Sequence, residues 1–252
     1  MDVQQPQVSI IMPAFNAEAT LVPAVESALA QSFRNFELII VNDCSTDTTA
    51  ALMEELARRD SRIRPLHNDT NAGASRSRYR AAEAARGQWL AFLDSDDLWT
   101  ADKLEEQLPL TRQADLIFTT SAFIDHQGRR RDWTLHVPET VSYRKLLKQN
   151  IISNSSVLLR RELYLQHACL EDGLHEDFVC WMRLLRSGAE VRGIDEPLLI
   201  YRLSPASKSG NKLKAAKMNW RAYRAAGLNV IDAAWNMVFY TVNSLLKYRH
   251  LK

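Results

Sequence analysis

Short apolar runs alternate with helical patterns from residue 8 to residue 94, and this alternation restricts the possible folds more than any other feature. The runs typical of β-strands are VSIIM (8–12), FELIIVN (36–42), IRPLHN (63–68) and QWLAFLD (88–94). Helical patterns lie between them at 18–31, after an N-cap at Ser45 or Thr46, and at 74–85. Strands that are apolar on both faces and alternate with helices predict an α/β fold, with a mostly parallel sheet flanked by helices.

Each of these four strands is followed by polar or turn-forming residues. They are residues 13–16, Asp43, residues 71–73 and residues 94–97, and Pro13 is expected to end the first strand. The carboxyl ends of parallel strands meet at one edge of a sheet, where ligands bind. The four segments are therefore predicted to form one site.

The segment 94–97 places three carboxylates, Asp94, Asp96 and Asp97, directly after an apolar strand. Carboxylates this close repel one another, and a positive group among them removes the repulsion. Oxygen ligands suit Mg²⁺ or Mn²⁺, which commonly bridge to substrate phosphates. The alternative is a solvated turn that caps a helix beginning near Leu98, and the segment alone does not decide between the two.

Asn71, Gly73, Arg76 and Arg78 surround the predicted start of the helix at 74–85. Glycine lets a ligand approach the backbone, and a helix N-terminus with arginine favours an anion. The alternative is an exposed basic helix face. A cation site and a phosphate site on one sheet edge together indicate a nucleoside diphosphate, whose base could donate an N–H to Asp43.

The pattern weakens after residue 110, although the chain is long enough for one large α/β domain. Of its 252 residues, 46% are hydrophobic and 25% charged, as in ordinary globular proteins. The predicted elements are a strand at 114–123, an irregular excursion at 128–143, a strand leading into a helix at 153–163, a helix at 176–188 and a strand at 191–202. The three cysteines form no CxxC pair, which favours a reducing compartment over a disulfide framework.

Five segments occur in a specific order: VSIIMPAFNAE, QSFRNFELIIVNDCSTD, NAGASRSR, LAFLDSDDLW and DKLEEQ. Together they resemble family 2 glycosyltransferases of the GT-A fold, densely over residues 7–110 and again at NSSVLLRRE, HEDFVCWMRLLRSG and YRLSPASKS. The similarity is to bacterial enzymes that build lipopolysaccharide, capsule or teichuronic-type polymers. It implies a Rossmann-like catalytic domain over 1–210, with a nucleotide-binding half at 1–110 and an acceptor-binding half at 111–210.

The resemblance implies an inverting, metal-dependent enzyme, either a hexosyl- or an N-acetylhexosaminyltransferase. Its donor would be a nucleotide sugar, usually UDP-linked, its acceptor a glycan or a lipid-linked sugar, and its cofactor Mn²⁺ or Mg²⁺. Asp177 matches the catalytic base of inverting members, and Glu176 is the fallback for that role. A carboxylate at a helix start also has a purely structural explanation, as a charge that favours the helix N-terminus.

The resemblance also assigns binding residues. Asp43 matches the position that contacts the nucleobase, and Arg78 a position near the diphosphate. The 94–97 cluster matches the motif that binds ribose and metal, with Asp96 and Asp97 on the metal side. The full set implied for the nucleotide sugar is Pro13, Phe15, Asn16, Glu18, Asp43, Asn71, Gly73, Arg78, Asp94, Ser95, Asp96 and Arg202.

Three positions depart from the family pattern. Asn42 and Cys44 replace an acid and a glycine, and Ser204 stands where many relatives have a histidine. These departures leave open a catalytically degenerate nucleotide-sugar-binding or scaffold protein. A nucleotidyltransferase is the main enzymatic alternative, but PAFNAEAT lacks the Gly-rich basic loop that such an enzyme normally needs. The residues that could form a flexible lid over the diphosphate are Arg202, Ser207, Lys208 and Ser209.

Basic residues are concentrated in a C-terminal extension, 211–252. Residues 202–252 contain ten basic residues and one acidic residue, whereas the preceding 201 have a net charge of −7. Periodicity predicts a basic amphipathic helix and then an apolar helix, a pair that suits an anionic membrane surface. The alternative is packing on the sheet domain or on a second subunit, so an oligomer is possible. The acidic body argues against binding to nucleic acid.

The sequence shows neither a signal peptide nor an apolar stretch long enough to span a membrane. The location expected from these absences and from the basic extension is the cytoplasm, at the cytoplasmic face of the inner membrane.

Overall fold

The computed structural model describes residues 5–171, 173–203 and 212–247, without the side chains of 212–214 and 244–247. Its strands are β1 (Val8–Ala14), β2 (Phe36–Asn42), β3 (Ile63–His67), β4 (Trp89–Phe92), β5 (Leu98–Trp99), β6 (Leu116–Ile124), β7 (Arg130–Leu135), β8 (Leu158–Arg160) and β9 (Val191–Arg202). Its α-helices are α1 (Leu21–Leu29), α2 (Thr49–Arg59), α3 (Ala74–Ala84), α4 (Lys103–Gln107), α5 (Tyr143–Lys148), α6 (Arg161–His167), α7 (Glu176–Arg186), α8 (Lys212–Ala225) and α9 (Val230–Lys247). Short 3₁₀ helices span Leu108–Arg112 and Asn154–Ser156.

The described strands form one sheet in the order β3-β2-β1-β4-β8-β6-β9-β5, and β7 pairs with the C-terminal part of β6. β3, β2, β1 and β4 are parallel, as the alternation of strands and helices predicts. β8 lies antiparallel between β4 and β6, and β9 is parallel to β6. The carboxyl ends of β1 to β4, β6 and β9 therefore meet at one edge of the sheet, called the site edge below.

Both faces of the sheet are buried. Ile11 of β1 lies in a core with side chains of α3, α6 and α7, whereas its neighbours Ile10 and Met12 lie in a second core with side chains of α1, α2 and α4. This alternation follows from the two-residue period of a strand. Because a slip of one residue would exchange the two cores, the packing fixes which residues reach the site edge.

β1 continues through Pro13 to Ala14, so the prediction that Pro13 ends this strand is wrong. The N–H of Leu93 donates to the carbonyl of Ile11, which shows that odd-numbered residues of β1 face β4. β4 itself ends at Phe92. The missing N–H of Pro13 therefore falls where the ladder has already ended, and it costs no hydrogen bond.

α2 begins at Thr49, later than an N-cap at Ser45 or Thr46 would place it. The hydroxyl of Ser45 accepts the N–H of Asn16, and the N–H of Thr46 donates to the side-chain oxygen of Asn16. These bonds hold the residues after β2 against the loop after β1. The predicted N-cap is therefore wrong, because the two residues are used between loops and not to start a helix.

The helix predicted near Leu98 is also wrong, since Leu98–Trp99 form the short strand β5 beside β9. The preceding carboxylate, Asp97, accepts the N–H of Arg202 at the end of β9. Because this bond holds the residues after Asp97 beside β9, they form a strand, and the next helix begins at Lys103.

The segment 128–143, predicted to be irregular, contains β7 and the start of α5. β7 forms a hairpin with β6, and the carboxylate of Asp125 accepts the N–H groups of Gln127 and Arg129 in the connecting turn. The first half of β7 is exposed on both faces, so its sequence lacks the apolar alternation that predicts a strand.

α8 and α9 confirm the predicted helices over the described part of the C-terminal extension. Tyr223 of α8 is buried, and its hydroxyl donates to the carbonyl of Leu147. Tyr240 of α9 packs on Phe178 of α7, with 5.8 Å between ring centroids. Within the described residues, no helix combines the length and the hydropathy that crossing a bilayer requires.

Candidate active site

Asp43 is buried at the end of β2, where its carboxylate holds the loop between β3 and α3. Its oxygens accept the N–H groups of Ala72 and Gly73 at 2.7 and 2.8 Å and the side-chain amide of Asn68 at 2.7 Å. Gly73 has φ 84°, which glycine adopts without strain. The side chain of Asn71 donates to the carbonyl of Asp43. Asp43, the residue that the resemblance assigns to the nucleobase, therefore orders the loop between β3 and α3.

Two of the three residues that depart from the family pattern, Asn42 and Cys44, form side-chain hydrogen bonds at the end of β2 and in the loop after it. The side-chain oxygen of Asn42 accepts the N–H of Ser45, and the thiol of Cys44 donates to the carbonyl of Asn68 at 3.0 Å. Cys44 has φ 59°, a conformation that favours glycine, the residue common at this position in the family. The substitutions keep the turn and add side-chain bonds to it.

The loop after β1 is bonded to the loop after β2. Asn16, at φ 48°, and Glu18 both accept backbone N–H groups of the second loop, those of Thr46 and Thr48. Phe15, which precedes Asn16, has 51% of its surface exposed. Its ring offers a flat apolar surface on which a ligand ring can stack.

The three carboxylates after β4 differ in their surroundings. Asp97 is 1% exposed, and its oxygens accept the hydroxyl of Ser155 at 2.6 Å and the N–H of Arg202 at 2.9 Å. The hydroxyl of Ser155 also accepts the N–H of Asp94 at 3.1 Å. Asp94 and Asp96 are partly exposed, as is Ser95 between them, which makes no side-chain hydrogen bond to another described residue. The cluster therefore consists of two partly exposed carboxylates, Asp94 and Asp96, and a buried one, Asp97, that anchors the turn.

Burial and mutual repulsion disfavour the charged forms of two of these carboxylates. Burial, and then the charge of Asp94, raises the pKa of Asp96 to about 6. Burial, and then Asp96 and Asp94, raises the pKa of Asp97 well above its usual value. A divalent cation binds hard oxygen donors and would relieve the repulsion between them, so the cluster fits such an ion. Among the described residues, no three His, Cys, Asp or Glu side chains could enclose an ion alone, so a cation here would also need substrate oxygens.

The buried side chain of Lys103 helps to hold the 3₁₀ turn that contacts the carboxylate cluster. The ring of Trp99 donates through Nε1 to the carbonyl of Ser155 at 2.7 Å, and the Nζ of Lys103 lies 4.0 Å from a Trp99 ring centroid. Lys103 also donates to Gln107, whose amide donates to the carbonyl of Ser156. Both paths end at the 3₁₀ turn whose Ser155 hydroxyl positions the carboxylates.

Arg78 joins the carboxylate cluster to the start of α7. Its guanidinium donates to Asp94 at 2.6 Å and to Glu176 at 3.2 Å, and its side chain is 9% exposed. Burial alone would lower the pKa of Arg78, but the two carboxylates outweigh burial and raise it, so the arginine stays charged. A desolvated cation between two anions holds both of them in place.

The Arg78→Met variant is expected to lose about 3–5 kcal/mol of unfolding free energy, because two partly buried carboxylates lose their counter-charge. Arg76→Met provides the matched control, since Arg76 lies on the same helix but is exposed. Its change should stay within about 0.5 kcal/mol. Urea unfolding of both variants measures the difference, and equal losses would show that Arg78 does not stabilise the pair.

Asp177 lies in the first turn of α7, beside Glu176. One of its oxygens accepts the N–H of Phe178 at 2.7 Å. Burial, and then the charge of Glu176, raises its pKa. A carboxylate with a raised pKa at a partly exposed position can take a proton near neutral pH.

Asp177 and Arg78 line a small cleft at the site edge together with Asn154 and Trp181. Two buried N–H donors of this cleft, Arg78 Nε and Trp181 Nε1, have no acceptor among the described residues. Buried donors normally find a partner, so these two N–H groups lack the acceptor that such donors usually have. A larger depression, lined by residues such as Gln7 and Arg112, lies at the opposite end of the strands and contains none of the predicted site residues.

Arg202, the last residue of β9, contacts the carboxylate cluster at the site edge. Its Nε donates to the carbonyl of Asp96 at 2.8 Å, and its N–H donates to Asp97. It therefore holds the turn that carries the carboxylates. The other residues of the predicted lid, Ser207, Lys208 and Ser209, lie outside the described residues, as does Ser204.

The structure brings the predicted residues into two adjacent groups. The first contains Asp43, Asn71, Gly73, Asn16 and Glu18, and the second contains Arg78, Asp94, Ser95, Asp96, Asp97, Glu176, Asp177 and Arg202. Pro13 is buried within β1. The sequence reasoning missed Ser155 and Asn68, whose side chains bond to Asp97 and Asp43. Their only signal is that polar residues interrupt apolar runs near a strand end.

Solved structures show which class of protein has this fold. Residues 1–349 of Staphylococcus aureus TarS in complex with UDP superpose with a TM-score of 0.70 at 19% identity, covering 93% of this chain and 70% of that chain. The same fragment in complex with UDP-GlcNAc gives a TM-score of 0.72 at 18% identity, covering 93% of this chain and 71% of that one. The fold is the GT-A fold of nucleotide-sugar-dependent transferases.

The sequence comparisons narrow the class to a family. The model for glycosyl transferase family 2 matches residues 9–167. A Bacillus subtilis protein, TuaG, described provisionally as a teichuronic acid biosynthesis glycosyltransferase, is 38% identical over 96% of this chain and 98% of its own length. Escherichia coli WfaP, a UDP-Glc:α-D-GlcNAc-diphosphoundecaprenol β-1,3-glucosyltransferase, is 30% identical over 96% of this chain and 95% of its own. The chain belongs to glycosyltransferase family 2, which confirms the resemblance of its motifs, and it is a glycosyltransferase.

Proposed function

We propose that this glycosyltransferase moves a hexosyl or N-acetylhexosaminyl group from a nucleotide sugar, with UDP as the nucleotide, to a glycan or lipid-linked acceptor during synthesis of a bacterial surface polysaccharide. The observation that carries the proposal is the chain of contacts Asp94–Arg78–Glu176, which connects the carboxylate cluster to the start of α7, where Asp177 lies. These contacts bring the proposed donor-binding carboxylates and the proposed catalytic base, Asp177, to the same edge of the sheet. WfaP, named for UDP-glucose and a diphosphoundecaprenol acceptor, supports the substrate classes.

The donor side of the proposed site is the half at 1–110. The ring of Phe15 stacks on or beside the nucleotide, and the loop ordered by Asp43 surrounds the base. Asp94 and Ser95 face the ribose. The half at 111–210 takes the acceptor, and Arg202 of that half holds the carboxylate turn of the donor side through Asp96 and Asp97.

Transfer with inversion requires a proton acceptor on the side opposite the leaving group. In the proposed reaction an acceptor hydroxyl attacks the anomeric carbon of the donor sugar, and its proton passes to the free oxygen of Asp177. The new bond joins the acceptor oxygen to the anomeric carbon. The bond from that carbon to the nucleoside diphosphate breaks, and its electron pair leaves with the diphosphate. Glu176, paired with Arg78, keeps the neighbouring charge fixed while Asp177 gains the proton.

The residues at the end of β4 fit a divalent cation, Mn²⁺ or Mg²⁺. Asp96 would hold it, with a contribution from Asp94, whereas Asp97 is already bonded to Ser155 and Arg202 and positions the turn. When bound, such a cation stabilises the negative charge that develops on the departing diphosphate.

We further propose that the enzyme works in the cytoplasm, at the cytoplasmic face of the inner membrane. A lipid-linked acceptor is confined to a membrane, and the net positive C-terminal extension favours an anionic surface. The turn at Cys44 argues against the catalytically degenerate alternative. Asn42 and Cys44 depart from the family pattern, but their side-chain hydrogen bonds keep this turn in place.

The direct test is release of UDP from a panel of UDP-sugars in the presence of Mn²⁺ and a synthetic GlcNAc-diphospho-lipid. We expect turnover with one donor, and a product with the anomeric configuration opposite to that of the donor by NMR. Retention of configuration would exclude the role given to Asp177. Donor binding without turnover across a broad acceptor panel would favour the scaffold alternative.

The raised pKa of Asp177 predicts the shape of the pH–rate profile. Asp177 must be deprotonated to accept a proton, so kcat/KM falls as the pH is lowered through its pKa. Because burial raises that pKa, the acid limb should lie above the range of an ordinary aspartate. A value of kcat/KM that stays constant down to about pH 4 would contradict this assignment.

A further inference from the structure

α9 presents a continuous apolar stripe to solvent. Ile231, Trp235, Val238 and Val242 are 80%, 64%, 61% and 51% exposed. Their spacing of four, three and four residues puts them on one face of the helix. Together with Val230 they are five of the six large hydrophobic residues that the described part of the chain exposes. The exposure is thus concentrated in one element.

The stripe lies opposite the face by which α9 packs on the protein. Ala233 and Asn236 are buried, and Tyr240 contacts Phe178. At 100° per residue these positions point away from the stripe by more than a quarter turn. The stripe is therefore not a frayed part of the core but a second apolar face of a helix that is already docked.

Cationic side chains border the stripe. Trp235 contacts Phe239, with 5.2 Å between centroids, and the Nζ of Lys148 lies 4.9 Å from the Phe239 ring centroid. Arg144 and Lys145 are exposed on the same short helix, α5. The only acid of α9 is Asp232, in its first turn. An apolar face beside basic residues has the composition of a helix that lies in the interface of an anionic membrane.

Charge distinguishes a bilayer from a second copy of the chain as the occupant. In a two-fold dimer through the stripe, the same patch would face itself, and the basic residues of α5 would approach their own copies. Anionic headgroups would attract them instead. Tryptophan, with an apolar ring and one N–H donor, also favours the boundary between headgroups and acyl chains.

We propose that Ile231, Trp235, Val238 and Val242 insert into the headgroup–acyl boundary of an anionic membrane, with Lys148 and Arg144 on the headgroups beside them. The inference deepens the proposed function and rests on it for the reason to dock, since a lipid-linked acceptor lies at that surface. The docking itself requires only the stripe and its basic border.

The test is flotation of the full-length protein with phosphatidylcholine vesicles, with and without phosphatidylglycerol. We expect the wild-type protein to bind the anionic vesicles. The Ile231→Ser/Trp235→Ser double variant should bind them at least about tenfold more weakly. Val230→Ser is the matched control, because Val230 is 58% exposed on the same helix but off the stripe. Its binding should stay within about twofold of wild type. Arg144→Ser/Lys148→Ser should weaken only the binding that depends on phosphatidylglycerol.

Three results would overturn the inference. The first is that the wild-type protein does not float, and the second is that the double variant floats equally well. The third is a dimer in light scattering that the double variant abolishes, which would assign the stripe to a second copy. A UDP-induced thermal shift, measured on the same samples without vesicles, separates this inference from the proposed function. Flotation without a shift would leave the docking surface valid and remove UDP as the proposed nucleotide of the donor.

Discussion

The Asp177→Asn variant is expected to lose about a thousandfold in kcat while keeping the UDP-induced thermal shift of the wild type. The size follows from the usual contribution of a positioned general base. Asparagine keeps the shape of the side chain and the acceptor of the Phe178 N–H, but it cannot take a proton. Steady-state UDP release and a thermal shift on the same preparation measure both quantities.

Two companion variants make this prediction specific. Glu171→Gln changes an exposed acid in the segment before α7 and should leave kcat unchanged. Glu176→Gln removes a partner of Arg78, and a moderate loss is expected. If Glu176→Gln abolished turnover and Asp177→Asn did not, the base would be Glu176.

The Asp96→Asn variant is expected to lose roughly a thousandfold in kcat/KM, together with the part of the UDP shift that depends on Mn²⁺. Asp96 is the carboxylate of its cluster with a partly exposed side chain and a pKa raised to about 6, and asparagine removes its charge. Titration of UDP at several Mn²⁺ concentrations measures the loss.

Asp102→Asn is the matched control for this variant, because Asp102 is an exposed acid shortly after the cluster. It should bind UDP and Mn²⁺ as the wild type does. A full metal-dependent shift in Asp96→Asn would move the cation to another ligand. A shift that never depended on metal would remove the cation from the proposal altogether.

The first half of the fold was predictable because its strands are buried on both faces. β1 and β2 consist almost entirely of apolar residues, and their ends were placed to within two residues. β5 and β7 were not predictable. β5 has only two residues and exists because Asp97 binds the end of β9, and β7 is half exposed, so neither carries a periodic signal.

The motifs identify candidate residues of the site by residue type, but not the contacts that those residues make. They single out Asp43 and Asp177 as candidates, and they do not reveal that Asp43 orders a loop through three donors. The local sequence around Ser155 does not identify its partners, because its two bonds reach residues 58 and 61 positions away along the chain. Contacts of that range appear only after the strands are assembled.

Binding of a nucleoside diphosphate is best tested by a thermal-shift screen of UDP, GDP, CDP and dTDP, each with and without Mn²⁺, on wild type and Asp96→Asn. A ligand that binds only the native state raises its apparent stability. We expect a shift with UDP that grows with Mn²⁺ in the wild type and does not grow with Mn²⁺ in the variant. A folded wild-type protein that responds to none of the four nucleotides would show that the site edge is not a nucleotide site.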